Sequence, residues 1–276
     1  MPTLSISIPA TGPNQEILIA FLDDYSVEGF QETAESLIVF VDQSNADALR
    51  LALQTSLAGY ISASPTEEEI QDRNWNEEWE KTIDSIRAGG FWIRPTWNKS
   101  SAPPDHIEVI VDPKMSFGTG YHESTRLMLG GIQEFTSVGD SVLDAGTGTG
   151  VLAIAALLKG AKSADAFDFD PICKENADEN ASLNGLKDDL RVYEGSESVI
   201  PGEDYDLILA NINREALRGM LPELTSRLAP NGKIGLSGLL YTDREIMLGT
   251  LRECALLNIR EYRERNWWSV WARHDV

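Results

Sequence analysis

Positive charge is scarce in this chain. Over 276 residues, 23 lysines and arginines stand against 44 aspartates and glutamates, a formal net charge of −21. A protein that tracks a phosphate backbone needs clustered Lys and Arg, so direct nucleic-acid binding is not expected. The charge suits solubility or a basic partner. Cysteine is nearly missing as well: Cys173 and Cys254 are the 2 present, and their spacing builds neither a metal site nor a disulfide framework. Reduced thiols and a cytoplasmic location are expected. No apolar run approaches the ~18 residues of a membrane-spanning helix, and Met1–Pro9 lacks the basic start of a signal peptide. With 3 histidines, no metal cluster is expected either.

What is present is a change of pattern along the chain. Leu4–Ile8 alternates apolar and polar residues, the period of a half-buried strand. A helix is expected from Pro13 through Leu22, strands at Val27–Ala34 and Leu37–Val41, a helix through Ala48, Leu49, Ala52, Leu53 and Leu57, and a last strand at Tyr60–Ser64. The order strand, helix, strand, strand, helix, strand is that of a small α+β ferredoxin-like unit. Related RNA-binding modules need basic and aromatic residues on the central strands. Residues 1–64 instead hold 8 acids and one base, Arg50, which favours recognition of a basic protein. Residues 65–83 read as an acid-rich helical linker with Trp75 and Trp79 on one face.

From residue 84 onward the chain alternates strands and helices as an α/β domain does. Strands are expected at 91–97, 106–111, 141–145, 164–169, 190–193, 206–211 and 233–237, and helices at 149–159, 171–183, 214–228 and 243–257. Two closing β runs, 260–265 and 267–273, flank a tight turn at Asn266. Five parallel strands ending in an antiparallel pair make a Rossmann-like doubly wound sheet of the kind class I methyltransferases use.

The chemistry concentrates at strand ends. Val142-Leu143-Asp144-Ala145 runs into Gly146-Thr147-Gly148-Thr149-Gly150 and then a helix. Glycines let backbone approach a ligand, and a helix start aims N–H groups at it. The nicotinamide fingerprint is G-x-G-x-x-G; here the third glycine comes one residue early and Val151 takes its place. Asp168 closes the next strand, about twenty residues on, where an acid can accept ribose hydroxyls. Asp170, just before Pro171, reads as a helix cap. Asn211 ends the fourth strand, the side of the sheet where ligands collect, and is expected near the reacting group and its acceptor; a helix-capping role is the alternative. Phe117-Gly118-Thr119-Gly120-Tyr121-His122-Glu123-Ser124-Thr125 reads as a loop folding over the cofactor, with His122 ordering the loop rather than acting as a base.

Taken together, these motifs resemble the ribosomal protein L-eleven methyltransferase family (PrmA), over nearly the whole chain. The carrying segments are Trp75-Asn76-Glu77-Glu78-Trp79, Phe117–Gly120 with His122, the glycine loop, and Gly232–Leu240. The resemblance implies a ferredoxin-like recognition domain (1–64), a helical linker (65–83) and a class I methyltransferase domain (84–276). It implies S-adenosyl-L-methionine as cofactor, held by Thr125, Gly146, Asp168 and Asn211; the glycine-loop motif adds Asp144 and Gly148, and the strand-end position of Asn211 puts it at the reacting centre as well. It further implies methylation of lysine side chains and the α-amine of a basic large-subunit ribosomal protein. The chain departs from the family where Thr147 replaces Cys and where Glu123-Ser124 replaces Pro-Thr. A same-fold methyltransferase with another acceptor, or a binding factor without turnover, are the competing readings.

Overall fold

The computed structural model describes residues 3–22, 25, 27–70, 84–114, 116–202 and 204–275. The chain divides into two compact units, Met1–Glu78 and Trp79–Val276.

In the first unit β1 (Thr3–Pro9), α1 (Pro13–Leu22), β2 (Val27–Glu32), β3 (Ser36–Asp42), α2 (Ala46–Gln54) and β4 (Thr66–Ile70) follow one another. The strand order is β2-β3-β1-β4, with every neighbouring pair antiparallel. Alternation does what the sequence pattern requires: Leu4, Ile6 and Ile8 of β1 oppose Val41, Val39 and Leu37 of β3, and all six are buried with Leu18, Leu22, Leu49 and Leu53 of the helices. Each such side chain contributes about 1.5–3 kcal/mol on burial. The expected ferredoxin-like order holds, but its last strand does not lie at Tyr60–Ser64. Ala58–Tyr60 is a short 3-10 turn, and the fourth strand is Thr66–Ile70. That strand is rich in glutamate, which disguises it as linker; an edge strand tolerates charges, which also discourage further pairing. A boundary at residue 64 therefore cuts off the fourth strand, and 66–70 is sheet rather than helical linker. The Trp75/Trp79 helix lies outside the described residues.

The second unit opens with a three-stranded sheet, β5 (Ile86–Ala88), β6 (Phe91–Arg94) and β7 (Ile107–Ile110). Its main sheet contains β8 (Ser141–Ala145), β9 (Ser163–Asp168), β10 (Leu190–Glu194), β11 (Tyr205–Asn211), β12 (Leu228–Leu240), β13 (Leu256–Glu264) and β14 (Trp267–His274) in the order β10-β9-β8-β11-β12-β14-β13. The first five are parallel and the closing hairpin is antiparallel. Helices α3 (Glu123–Phe135), α4 (Val151–Lys159), α5 (Pro171–Leu183), α6 (Arg214–Ser226) and α7 (Arg244–Glu253) accompany these strands. Strand side chains alternate between faces: Val142, Leu207 and Leu209 join one core with α3, α4 and α5, while Leu143, Ala145, Ile208 and Ala210 join another with α6 and α7. This is the expected doubly wound α/β sheet.

Helix α3 is not foreseen: its first residues, Glu123–Thr125, are read from the sequence as part of the covering loop. Gly130 and Gly131 interrupt its pattern, and glycine costs about 1 kcal/mol against alanine in a helix. The reason for Gly131 is close packing: a Cβ there would stand 2.1 Å from the Trp271 indole, and one on Gly235 would stand 2.7 Å from the same ring.

Candidate active site

The strand order reverses between β8 and β11, so their carboxyl ends and that of β9 open side by side, where open α/β sheets hold ligands. A cavity of about 450 Å³ lies there, lined by Gly146, Gly148, Phe167, Asp168, Phe169, Cys173, Asn211 and Phe117 among others. Its size is that of a small-molecule site.

The glycine loop is built for close approach. Gly146, Gly148 and Gly150 have φ of 70°, 55° and 81°, a region glycine adopts freely. A Cβ on Gly148 would meet the Phe117 carbonyl oxygen at 2.2 Å, and one on Gly146 would meet Ile212 Cγ2 at 2.4 Å. The loop's N–H groups, however, do not face a ligand as expected. Those of Gly146 and Thr147 donate to the Phe167 carbonyl (2.9 and 3.1 Å), that of Thr149 to the Phe117 carbonyl (2.9 Å) and that of Gly150 to the Thr147 carbonyl (2.9 Å). The Gly148 N–H donates to Asp168 Oδ2 at 3.0 Å. A dinucleotide pyrophosphate needs such donors free. With all five committed, the cradle suits a nucleoside cofactor without phosphate.

Asp168 is 7% exposed and also accepts the Asp170 N–H at 3.1 Å through Oδ1. Each carboxylate oxygen has a second lone pair, so Asp168 can still accept two hydroxyls on the cavity wall. Asp170 caps α5, accepting the Ile172 N–H at 2.9 Å, as expected.

Asp144 does something other than line the cavity. It is fully buried beneath the loop, where Oδ2 accepts the Thr147 hydroxyl at 2.7 Å and the Ala153 N–H at 3.3 Å. Oδ1 has no partner. Burial pushes its carboxyl up to about 7, against those two donors, and the nearby Asp168 adds to the rise. The Thr147 departure is thus a hydroxyl that holds Asp144. Burial likewise pushes the Cys173 thiol up.

Asn211 does not cap the following helix. Asn213 does, accepting the Ala216 N–H at 3.0 Å. The Asn211 side chain is held by Nδ2–H donation to Thr125 Oγ1 at 3.3 Å, which leaves its buried Oδ1 without a donor. Thr125 is fully buried behind Asn211 and is not on the cavity wall. A second cavity of about 280 Å³ adjoins on the other side, lined by Phe117, His122, Ser124, Asn211, Ile212, Asn213, Gly238 and Trp267. Phe117, Asn211, Ile212 and Asn213 belong to both walls.

The covering loop is pinned to the glycine loop, since the Thr149 hydroxyl donates to the Gly118 carbonyl at 2.8 Å. His122 caps α3: its Nδ1 accepts the Ser124 N–H at 3.2 Å and lies 2.7 Å from Ser124 Oγ. An acceptor at Nδ1 engages that lone pair with the Ser124 N–H and places the neutral ring's proton on Nε2, so the ring's other nitrogen offers an N–H. Its ring packs edge-on against Trp267 with centroids 4.3 Å apart, and against Phe117 at 5.3 Å. Trp267 and Cys173 carry no signal in the sequence that would place them at the site; nothing in the local pattern of a closing hairpin or a helix start marks them.

The family description "Ribosomal protein L11 methyltransferase (PrmA)" matches residues 13–275. A ribosomal protein L11 methyltransferase from Chlorobaculum parvum is 36% identical over 263 residues, covering 92% of this chain and 91% of that protein. One from Bacteroides fragilis is 32% identical over 266 residues, covering 95% and 94%. The crystal structure of a ribosomal protein L11 methylase from Lactobacillus delbrueckii subsp. bulgaricus superposes with a TM-score of 0.65 at 31% identity, covering 70% of this chain and 99% of that one.

Proposed function

The chain belongs to the ribosomal protein L11 methyltransferase family and is an S-adenosylmethionine-dependent protein methyltransferase; we propose that its acceptors are lysine and N-terminal amines of the basic ribosomal protein L11. The observation that carries this reading is Asn211, shared by two adjoining cavities and holding an unpartnered Oδ1. The larger cavity fits the cofactor: Asp168 offers lone pairs for ribose hydroxyls, and Gly146 and Gly148 leave room that a Cβ would fill. When bound, the cofactor supplies an activated sulfonium methyl group.

The protein's task is then position and electrostatics. Asn211 Oδ1 accepts an N–H of the acceptor amine and so aims its lone pair. Thr125 keeps the amide in that orientation. Only a neutral amine has the lone pair, and an α-amine loses its proton near pH 7.7–8.0 while a lysine does so near 10.4. The apolar walls of Phe117, Ile212 and Trp267 desolvate the lysine and lower its pKa, so the proton leaves to solvent on entry. His122, a helix cap presenting N–H, is not the base.

The first unit is the substrate-recognition module in this reading. Glu32, Glu35, Asp47, Glu67 and Glu68 are exposed there, and Arg50 is already paired with Asp47 and Glu67, which suits a basic partner. Both cysteines are free, which suits a cytoplasmic enzyme, and among the described residues no helix is long and apolar enough to cross a membrane. The test is intact mass of L11 after incubation with the enzyme and cofactor. Mass gains in whole methyl steps support the reading; an unmodified L11, alongside a methylated different acceptor, would move the acceptor assignment.

A further inference from the structure

Glu123 stands where the resembled family carries proline, and the structure gives that glutamate a task. It occupies the first position of α3, after the His122 cap. Its carboxylate is only 16% exposed, lies 3.1 Å from Arg265 Nη1 and 3.8 Å from Arg126 Nη2, and its own backbone N–H and those two cations hold it below the usual carboxylate range. Arg126 in turn grips Glu264 through Nε (3.1 Å) and Nη2 (2.5 Å). Glu264 ends β13, and Arg265, with a positive φ of 53°, begins the turn into β14. The next strand begins at Trp267, whose ring meets His122, the residue just before Glu123. Two charge pairs therefore tie the start of α3 to the end of β13 and this turn, next in sequence to an aromatic pair whose two residues line the smaller cavity.

We propose that Glu123 is a positioning residue for the acceptor: by holding Arg265 and the β13–β14 turn, it keeps Trp267 against His122 and fixes the width of the acceptor cavity. The proposal rests on the functional reading above, in which the smaller cavity receives the amine. Proline is well accommodated at the first position of a helix, and His122 already has the extended ψ of 139° that a residue before proline adopts. Glu123→Pro thus removes the carboxylate and keeps the helix, while Glu123→Gln removes only the charge.

The test measures L11 methylation kinetics, cofactor affinity by calorimetry, and the fluorine resonance of 5-fluorotryptophan at position 267, assigned by Trp267→Phe. Both Glu123 variants are expected to raise KM for L11 about three- to fivefold, as befits a partly exposed pair. They should shift or broaden the Trp267 resonance and leave kcat and cofactor Kd within about twofold. Arg265→Gln should give the same change, and Glu123→Gln with Arg265→Gln should add little to either alone. An unchanged resonance, an unchanged KM, or a KM and cofactor Kd that move together would overturn the proposal. A wild-type enzyme that methylates no acceptor overturns the functional reading instead, and the fluorine resonance then decides the clamp alone.

Discussion

On one side of Asn211, the geometry is made by backbone. Three glycines at positive φ, five loop N–H groups donating to protein oxygens, and the Phe117 carbonyl packed over Gly148 shape the larger cavity. On the other side it is made by side chains: Trp267 against His122, Glu123 against Arg265, Arg126 against Glu264. Backbone hydrogen bonds and steric limits hold a shape with little tolerance. Ion pairs near the surface are individually weak, so the smaller cavity can be retuned by single substitutions. A cofactor common to many enzymes and an acceptor particular to one call for that division.

The sharpest way to break the comparison is at Gly148. Gly148→Ala places a Cβ 2.2 Å from a backbone oxygen at a φ of 55°, where neither partner can yield. Cofactor binding should fall below detection in calorimetry; a variant that still binds within tenfold would show the loop to be pliant.

Asp144 comes next. Its folded pKa, raised to about 7, lies above the unfolded value of about 3.9. The stability it contributes is therefore fully present below about pH 4 and lost as pH rises through 7. Asp144→Asn keeps an acceptor for Thr147 and Ala153 and removes the charge. Urea unfolding from pH 4 to pH 8 should show wild type losing on the order of 3 kcal/mol more than the variant. Parallel curves would mean that Asp144 is not the group being titrated.

Asp168→Ala removes the acceptor of the Gly148 and Asp170 N–H groups together with the proposed ribose acceptor. Charge-assisted hydrogen bonds of ~1.5–3 kcal/mol predict a cofactor Kd raised roughly 10- to 100-fold. The smallest effect belongs to Thr125→Val, which frees the Asn211 amide to rotate: kcat should fall about fivefold, one ordinary hydrogen bond, with cofactor Kd unchanged. A larger loss in Kd than in kcat would place Thr125 on the cofactor side.

The same division explains what could be read from the sequence. Of the larger cavity's wall, Gly146, Gly148 and Asp168 belong to a glycine loop and the end of the next strand, so spacing and period point to them. Even there, the partners of the N–H groups could not be seen, because the Phe167 and Phe117 carbonyls reach the loop only in the folded chain. For the same reason the motif put Asp144 at the cofactor, whereas folding puts it underneath. The smaller cavity, the proposed acceptor side, draws on Phe117, His122, Ile212, Gly238 and Trp267, four separated segments with no shared pattern. Elsewhere, α3 was hidden by Gly130 and Gly131, the second of which admits Trp271, and β4 by the glutamates of an edge strand.

The most direct test of the account is to measure, for Asn211→Ala, the L11 methylation rate and the cofactor Kd side by side. An amide that aims the acceptor at the meeting of two cavities predicts a rate lowered by about 10²-fold with cofactor Kd within about threefold. A rate and an affinity lost in equal proportion would place Asn211 wholly within the cofactor site and contradict the account.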